Sequence, residues 1–413
     1  MSGTPTSARG ATQAPRAPLR VVVAGGGVAA LEAVLALRDL AEERVSIDLI
    51  AAEPRFWYRP LAVVEPFGLG HLHGLELVEL TRAAGAELAL GTLARVDTEA
   101  HVAYTSAGAA FAYDVLLVAT GATPVAAVPG ALTFRGAADS EALGTLLTEL
   151  EADSARSLVF TLPAAITWPL PIYELALLTA ASLAHRSLDR VTVTIATPED
   201  APLGLFGADV SDSVRRLLDE RGVDVLTGRY PTSVDDGVLT LVPGGSIPAD
   251  AVVALPRLEG PRIDGLPHDA NGFLSTDPSG RVRGVDDVFA AGDVTSFPVK
   301  QGGLAAQQAR AAAEAIAARS GAAVDPQPFR PVLRGLLLTG GARAYLRAEL
   351  GGGAGETSVA SIEPLWWPPA KIVGRHLAPY LAERAGFVLT PPAGARRLPI
   401  DVDLTSAFAG DRQ

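Results

Sequence analysis

Between a short β-branched run at residues 19–24 and a helical pattern at residues 28–40, the chain reads Gly25-Gly26-Gly27-Val28-Ala29-Ala30. A G-x-G-x-x-A turn joining a strand to a helix constrains the fold more than any other feature here, because its glycines serve one purpose in that context. Gly25 allows the tight turn, Gly27 leaves no Cβ in the path of a pyrophosphate, and Ala30 keeps helix and strand close. The helix N-terminus then presents N–H groups and the positive end of its dipole to the phosphates. Residues 45–51 supply a second strand, and Glu53 follows it, where a carboxylate can accept hydrogen bonds from both ribose hydroxyls of an adenosine.

The same alternation continues along the chain. A strand at 113–119 ends in Thr120-Gly121-Ala122, after a hairpin-like stretch at 88–110. A second unit alternates strands at 158–161, 190–196, 224–227 and 251–255 with helices at about 171–184 and 209–221. A strand at 287–290 and a helix from about 304 to 319 read as a return to the first unit. The fold class is therefore α/β, with two Rossmann-like dinucleotide-binding-type domains, the first discontinuous, plus a C-terminal capping region. The boundaries predicted are 18–145 with 258–330 for the first domain, 146–257 for the second and 331–413 for the cap, which carries a helix near 370–385. Residues 1–17, rich in Ser, Thr, Ala and Pro and without an apolar core, read as a disordered tail.

Composition removes several functions. The net charge of −12 with no long Lys/Arg cluster argues against nucleic acid as a partner. There is no cysteine, hence no disulfide framework, dithiol or thiolate metal site. His71 and His73 have no third clustered ligand beside them, so no metal is expected. No span of membrane length survives the prolines at 163, 169 and 171, and a cytoplasmic location is expected.

Two further segments decide which dinucleotide is bound. Val118-Ala119-Thr120-Gly121-Ala122 and Val288-Phe289-Ala290-Ala291-Gly292-Asp293-Val294 resemble the other two FAD signatures of the pyridine nucleotide-disulfide reductase superfamily, and they follow the first turn in the right order. The resemblance implies FAD, with Asp293 holding the ribityl chain near the diphosphate. Lys300-Gln301-Gly302-Gly303 opens the following helix, whose dipole would face the flavin pyrimidine edge. Lys300 is the candidate for tuning the flavin, and an exposed lysine is the competing reading. Phe56-Trp57-Tyr58-Arg59-Pro60 resembles the loop beside the isoalloxazine in these flavoproteins, with aromatic core packing as its plain alternative. The candidate cofactor-binding residues are thus Gly25, Gly26, Gly27, Val28, Ala29, Ala30, Glu53, Arg59, Ala119, Thr120, Gly121, Gly292, Asp293, Lys300 and Gln301.

The second domain departs from this pattern. Where NAD(P)H-using members repeat the glycine turn, residues 161–171 read Thr-Leu-Pro-Ala-Ala-Ile-Thr-Trp-Pro-Leu-Pro. Side chains there would obstruct a pyrophosphate and the prolines remove N–H donors, so NAD(P)H binding is doubtful. Glu199 and Asp200 sit where a ribose acid could lie, and without the turn they read as solvated loop acids. The Pro-rich turn followed by Tyr173-Glu174 is similar to the sulfide:quinone reductase and flavocytochrome c sulfide dehydrogenase branch, which works without NADH. Members of that branch use cysteines beside the flavin, and this chain has none, so their sulfide chemistry does not carry over.

The sequence thus points to an FAD-dependent oxidoreductase that passes two electrons to a quinone-like or protein acceptor, with its donor unassigned. An NAD(P)H:quinone or ferredoxin-reductase-like enzyme and a non-catalytic FAD-binding protein stand as alternatives. Leu365-Trp366-Trp367-Pro368-Pro369 with Lys371, Ile372, Val373, Arg375, Leu377, Tyr380 and Leu381 offers either a peripheral membrane patch or a packing and homodimer surface.

Overall fold

The computed structural model describes residues 17–70, 74–152, 157–164, 168–188, 190–350 and 358–386. The expected N-terminal tail up to residue 16, His71 and His73 lie outside them.

Strand β1 (Leu19–Ala24), helix α1 (Val28–Ala41) and strand β2 (Val45–Ala51) form the opening βαβ unit. Strands β3 (Glu87–Leu90) and β4 (Val115–Val118) flank it. The second unit holds β5 (Ser157–Thr161), α2 (Leu170–His185), β6 (Thr192–Ala196), α3 (Ala208–Glu220), β7 (Val223–Leu226) and β8 (Ala251–Ala254). The chain then returns through β9 (Val288–Ala290) and α4 (Gly302–Arg319). The first sheet has the order β9-β4-β1-β2-β3, all parallel, so the domain is indeed discontinuous. The central strands are apolar throughout (Val21, Val22, Val23, Leu116, Leu117), as strands covered on both faces must be. Helices α1 and α4 pack side by side against this sheet through small residues, among them Ala33, Ala36, Ala309 and Ala312.

The second sheet is also parallel, in the order 132–133, β8, β5, β6, β7. Residues 132–133 thus pair with this sheet, short of the boundary placed at 145, because two extended residues carry no periodicity to read. Thr123–Val125 pairs antiparallel with Arg257–Glu259, so the two crossings between sheets form one ribbon.

Two local expectations change. Within 88–110, only a part is hairpin: β3 joins the parallel sheet, and an antiparallel three-stranded sheet follows at 93–112. In the cap, β10 (Val332–Leu337), β11 (Ala344–Glu349) and β12 (Ser358–Ser361) form an antiparallel sheet, and the helix expected near 370–385 shortens to α5 (Leu377–Arg384). Residues before α5 are irregular because their N–H groups find side-chain acceptors instead: Ile372 donates to Tyr58 Oη at 2.9 Å, and Arg375 and His376 donate to Glu32 Oε1 at 2.8 and 3.0 Å. Leu377 N–H also donates to Glu32, at 2.7 Å. Glu32 is fully buried on α1, so one carboxylate anchors the entry to the last helix on the first domain.

Candidate functional site

A cavity of about 440 Å³ opens where the C-terminal ends of the first sheet meet the second domain and the cap. That is the edge at which open parallel sheets bind ligands. Three loops of the first domain reach it: Gly26 to Ala29 after β1, Ala119 to Ala122 after β4, and Ala291 to Asp293 after β9. Glu53, Arg59, Lys300 and Gln301 complete that side.

Gly25 and Ala30 stand behind this wall. Gly25 has φ +138°, and a Cβ there would lie 2.1 Å from the Ala119 carbonyl oxygen, so its role is to let two loops touch. Gly27 differs, since a Cβ on it would meet nothing within 4 Å. It borders the cavity at the N-terminus of α1, where no side chain caps the helix and the first-turn N–H groups face open space. Gly292, at φ +82°, fits between the Cβ atoms of Ala29 and Ala305. Thr120 Oγ1 is buried at the cavity with no hydrogen-bond partner among the described residues. An uncapped helix end, a side-chain-free approach and an orphaned hydroxyl fit an extended dinucleotide.

Asp293 faces the cavity with its carboxyl raised above the usual range by burial, against the pull of Lys300 and Arg59. Lys300 is half-buried rather than solvated. Its Nζ donates to the carbonyls of Asp293, at 3.1 Å, and Thr295, and lies 3.9 Å from the centre of the Phe273 ring. Burial lowers its pKa to about 8, opposed by Asp293 and Asp269. Gln301 caps α4 by accepting from Leu304 N–H at 2.9 Å, so the helix starts at Gly302, and its amide donates to the Arg334 carbonyl of β10. Glu53 is exposed at the rim and accepts from Trp57 Nε1 at 3.1 Å.

The opposite wall was not foreseen. Glu174 on α2 and Lys371 in the cap form a buried ion pair, with Nζ 2.6 Å from each carboxylate oxygen and Leu338 N–H donating at 2.9 Å. Both border the cavity. Burial pushes the Glu174 carboxyl up and the Lys371 ammonium down, each resisted by its partner. A signal for Glu174 existed: it is the lone charge in the apolar run 170–184, where an acid must be paired. Nothing in the sequence marks Lys371 as that partner.

In the second domain Glu199 is buried, contrary to its reading as a solvated acid, while Asp200 is exposed. Glu199 Oε2 accepts from Tyr173 Oη at 2.6 Å and Thr197 Oγ1 at 2.9 Å, and burial pushes its carboxyl up to about 7. Trp168 borders the cavity and packs on Phe206, ring centres 5.9 Å apart. Residues 165–167 of the Pro-rich turn lie outside the described residues.

The side chains offered as a membrane patch or packing surface divide: Leu365, Trp367 and Tyr380 are half-buried and Arg375 is exposed. Trp366, Ile372, Val373 and Leu377 are buried, and Trp366 packs edge-on against Tyr345. Among the described residues no helix is long and apolar enough to cross a membrane, and no cluster of metal-ligating side chains occurs.

The fold and cavity define a two-domain dinucleotide-binding oxidoreductase. A family profile described as pyridine nucleotide-disulphide oxidoreductase matches residues 174–316. The sulfide-quinone reductase of Aquifex aeolicus is 25% identical over 298 residues, 67% of this chain and 69% of that protein. An NADH dehydrogenase-like protein of Mycobacterium tuberculosis is 28% identical over 296 residues, 67% of this chain and 73% of its own length. The crystal structure of the sulfide:quinone oxidoreductase from Aquifex aeolicus superposes with a TM-score of 0.73 at 21% identity, covering 83% of this chain and 87% of that one. The match over residues 174–316 and these relatives show a likeness to the pyridine nucleotide-disulphide oxidoreductases, and the fold is that of an FAD-dependent oxidoreductase.

Proposed function

We propose that this oxidoreductase passes two electrons through FAD to a quinone-like or protein acceptor, and takes them from a donor other than a nicotinamide dinucleotide. The contrast between its two turns carries the reading. Residues 25–30 leave backbone N–H groups open to the cavity, whereas the equivalent 161–171 stretch holds three prolines and Trp168 and has no glycine. Its companion acid, Glu199, is already bonded to Tyr173 and Thr197.

Bound FAD would supply the redox chemistry, taking up and releasing an electron pair at its isoalloxazine ring. Gly27 and the α1 N-terminus would hold its diphosphate, Glu53 its adenosine ribose, and Thr120, Gly121 and Asp293 the portion between. Lys300, held by two carbonyls at the cavity wall, keeps most of its charge at pH 7 and stabilises negative charge developing nearby. Lys371 Nζ donates to both Glu174 oxygens at 2.6 Å, and burial raises the carboxyl's pKa and lowers the ammonium's. Transfer of a proton from Lys371 Nζ to Glu174 leaves the pair neutral, whereas its release into the cavity would leave one net negative charge on the pair, to be cancelled when a proton returns.

A second reading keeps NAD(P)H as the donor, and the likeness to an NADH dehydrogenase-like protein favours it. Anaerobic mixing of the FAD-loaded protein with NADH and, separately, NADPH distinguishes the two. Flavin absorbance should persist with both and bleach with dithionite or a quinol. Rapid bleaching by either nucleotide overturns the donor assignment and establishes the second reading.

A further inference from the structure

A second cavity, of about 240 Å³, lies between α4, the start of β10 and the irregular stretch before α5, outside the flavin cavity. Four guanidinium groups line it: Arg310 on α4, Arg330 just ahead of β10, Arg334 on β10, and Arg375 in the cap. In a chain of net charge −12, four arginines around one concavity run against the general field. The two acids in its wall do not neutralise them equally. Glu32 is fully occupied by the N–H groups of residues 375–377. Glu314 takes Arg310 Nε at 2.8 Å on one oxygen and Gln327 N–H at 2.9 Å on the other. Arg330 and Arg375 are exposed at the mouth and have no ion-pair partner among the described residues.

Arg330 and Arg375, the two of these guanidinium groups with no ion-pair partner among the described residues, stand in a concave wall beside the Glu314-paired Arg310, and their planar forks match the bidentate geometry of carboxylates and phosphates. We propose that this cavity binds a small polyanion, a ligand carrying two or more carboxylate or phosphate groups. The volume equals about eight waters of liquid, which suits a free small molecule. The position is informative, because Arg334 borders both cavities, so a bound anion lies one side chain from the flavin cavity. The inference is independent of the electron donor and acceptor.

The test is isothermal titration of the FAD-loaded full chain at low ionic strength with citrate and with inorganic pyrophosphate, beside sedimentation with vesicles of phosphatidylcholine and phosphatidic acid. The wild type should bind at least one of the two small anions at one site per chain, with affinity falling as salt rises. The double variant R330Q/R375Q should lose about tenfold or more per arginine, with an unchanged flavin spectrum and melting temperature. R330K/R375K, which keeps the charge but not the planar fork, should fall between them. No saturable heat with either anion, or equal affinity in the glutamine variant, overturns the proposal. Vesicle binding that needs Arg330 and Arg375 while citrate and pyrophosphate fail to bind overturns it in favour of a membrane surface.

Discussion

The two parallel sheets share a connection pattern and differ at one loop. In the first, the turn after β1 is glycine-rich, the helix end is uncapped, and the acid after β2 is exposed at the rim. In the second, the turn after β5 is proline-rich, Trp168 packs on Phe206, and the acid after β6 is buried and bonded to the helix that follows the turn. The same architecture therefore presents open backbone donors in one half, whereas among the described residues of the other the acid is buried, with one carboxylate oxygen bonded to Tyr173 and Thr197 and the other unpartnered. A Rossmann-like topology alone says nothing about occupancy. What decides is whether the groups at the strand ends are left for a ligand or consumed by the protein.

Lys371→Met attacks this contrast hardest, since it removes the cation that the closed half uses at the cavity. An unpaired Glu174 in a buried site should destabilise the fold by about 3–5 kcal/mol in urea unfolding at pH 8, less at low pH where the carboxyl protonates. Replacing Glu174 by Leu as well should restore most of the loss. A single variant as stable as the wild type would mean that the pair does not fasten the cap to the second domain.

Glu199 gives a pH signature. Burial lifts its carboxyl from 4.5 to about 7, so the ionised form costs the folded state about 3 kcal/mol. Below about pH 4.5 the group is protonated folded and unfolded, and the cost is absent. Between about pH 4.5 and 7 the unfolded chain has lost the proton while the folded chain keeps it, so stability falls as pH rises, and the loss is complete above that window. Glu199→Gln should flatten this dependence and be the more stable protein at pH 8. Parallel pH profiles for variant and wild type would remove Glu199 from the account.

Gly27→Val examines the open half. Its Cβ meets no protein atom within 4 Å, so melting of the FAD-free chain should hardly change. FAD affinity should fall about a hundredfold, roughly 2.7 kcal/mol, because the branched side chain stands where the diphosphate approaches. Unchanged affinity would place the diphosphate elsewhere.

How far the sequence led follows from what is local. The strand, glycine turn and helix at 19–41 were legible because hydrophobic period, turn chemistry and helix signal coincide within one window. The return of β9 and α4 to the first sheet was legible from the strand and helix patterns at 287–290 and 304–319, and the resemblance of Val288 to Val294 to a known signature supported it. Glu199 was misread because burial is a tertiary property: the Tyr173 hydroxyl that satisfies it lies 26 residues away. Lys371 was read only as part of a membrane-patch or packing surface, and its pairing could not be seen because its partner Glu174 is 197 residues distant. Residues 370–376 carry helical spacing yet form no helix, since the buried Glu32 and Tyr58 offer their N–H groups acceptors that no local pattern reveals.

The smallest effect compares the two acids directly. Glu53 lies at the rim, exposed, and among the described residues accepts from Trp57 Nε1. Solvent weakens its hydrogen bonds to a ribose, so Glu53→Ala should reduce FAD affinity about tenfold, roughly 1.4 kcal/mol, without a pH-dependent change in stability. Glu199→Gln should do the reverse, altering the pH profile of unfolding while leaving FAD affinity within about twofold. Measuring FAD affinity by fluorescence and stability by urea unfolding for both variants gives four numbers, and the contrast requires that each variant move only one of its two. If Glu199→Gln weakens FAD as much as Glu53→Ala does, the second half is not closed off from the cofactor, and its buried acid must be counted as part of the same site.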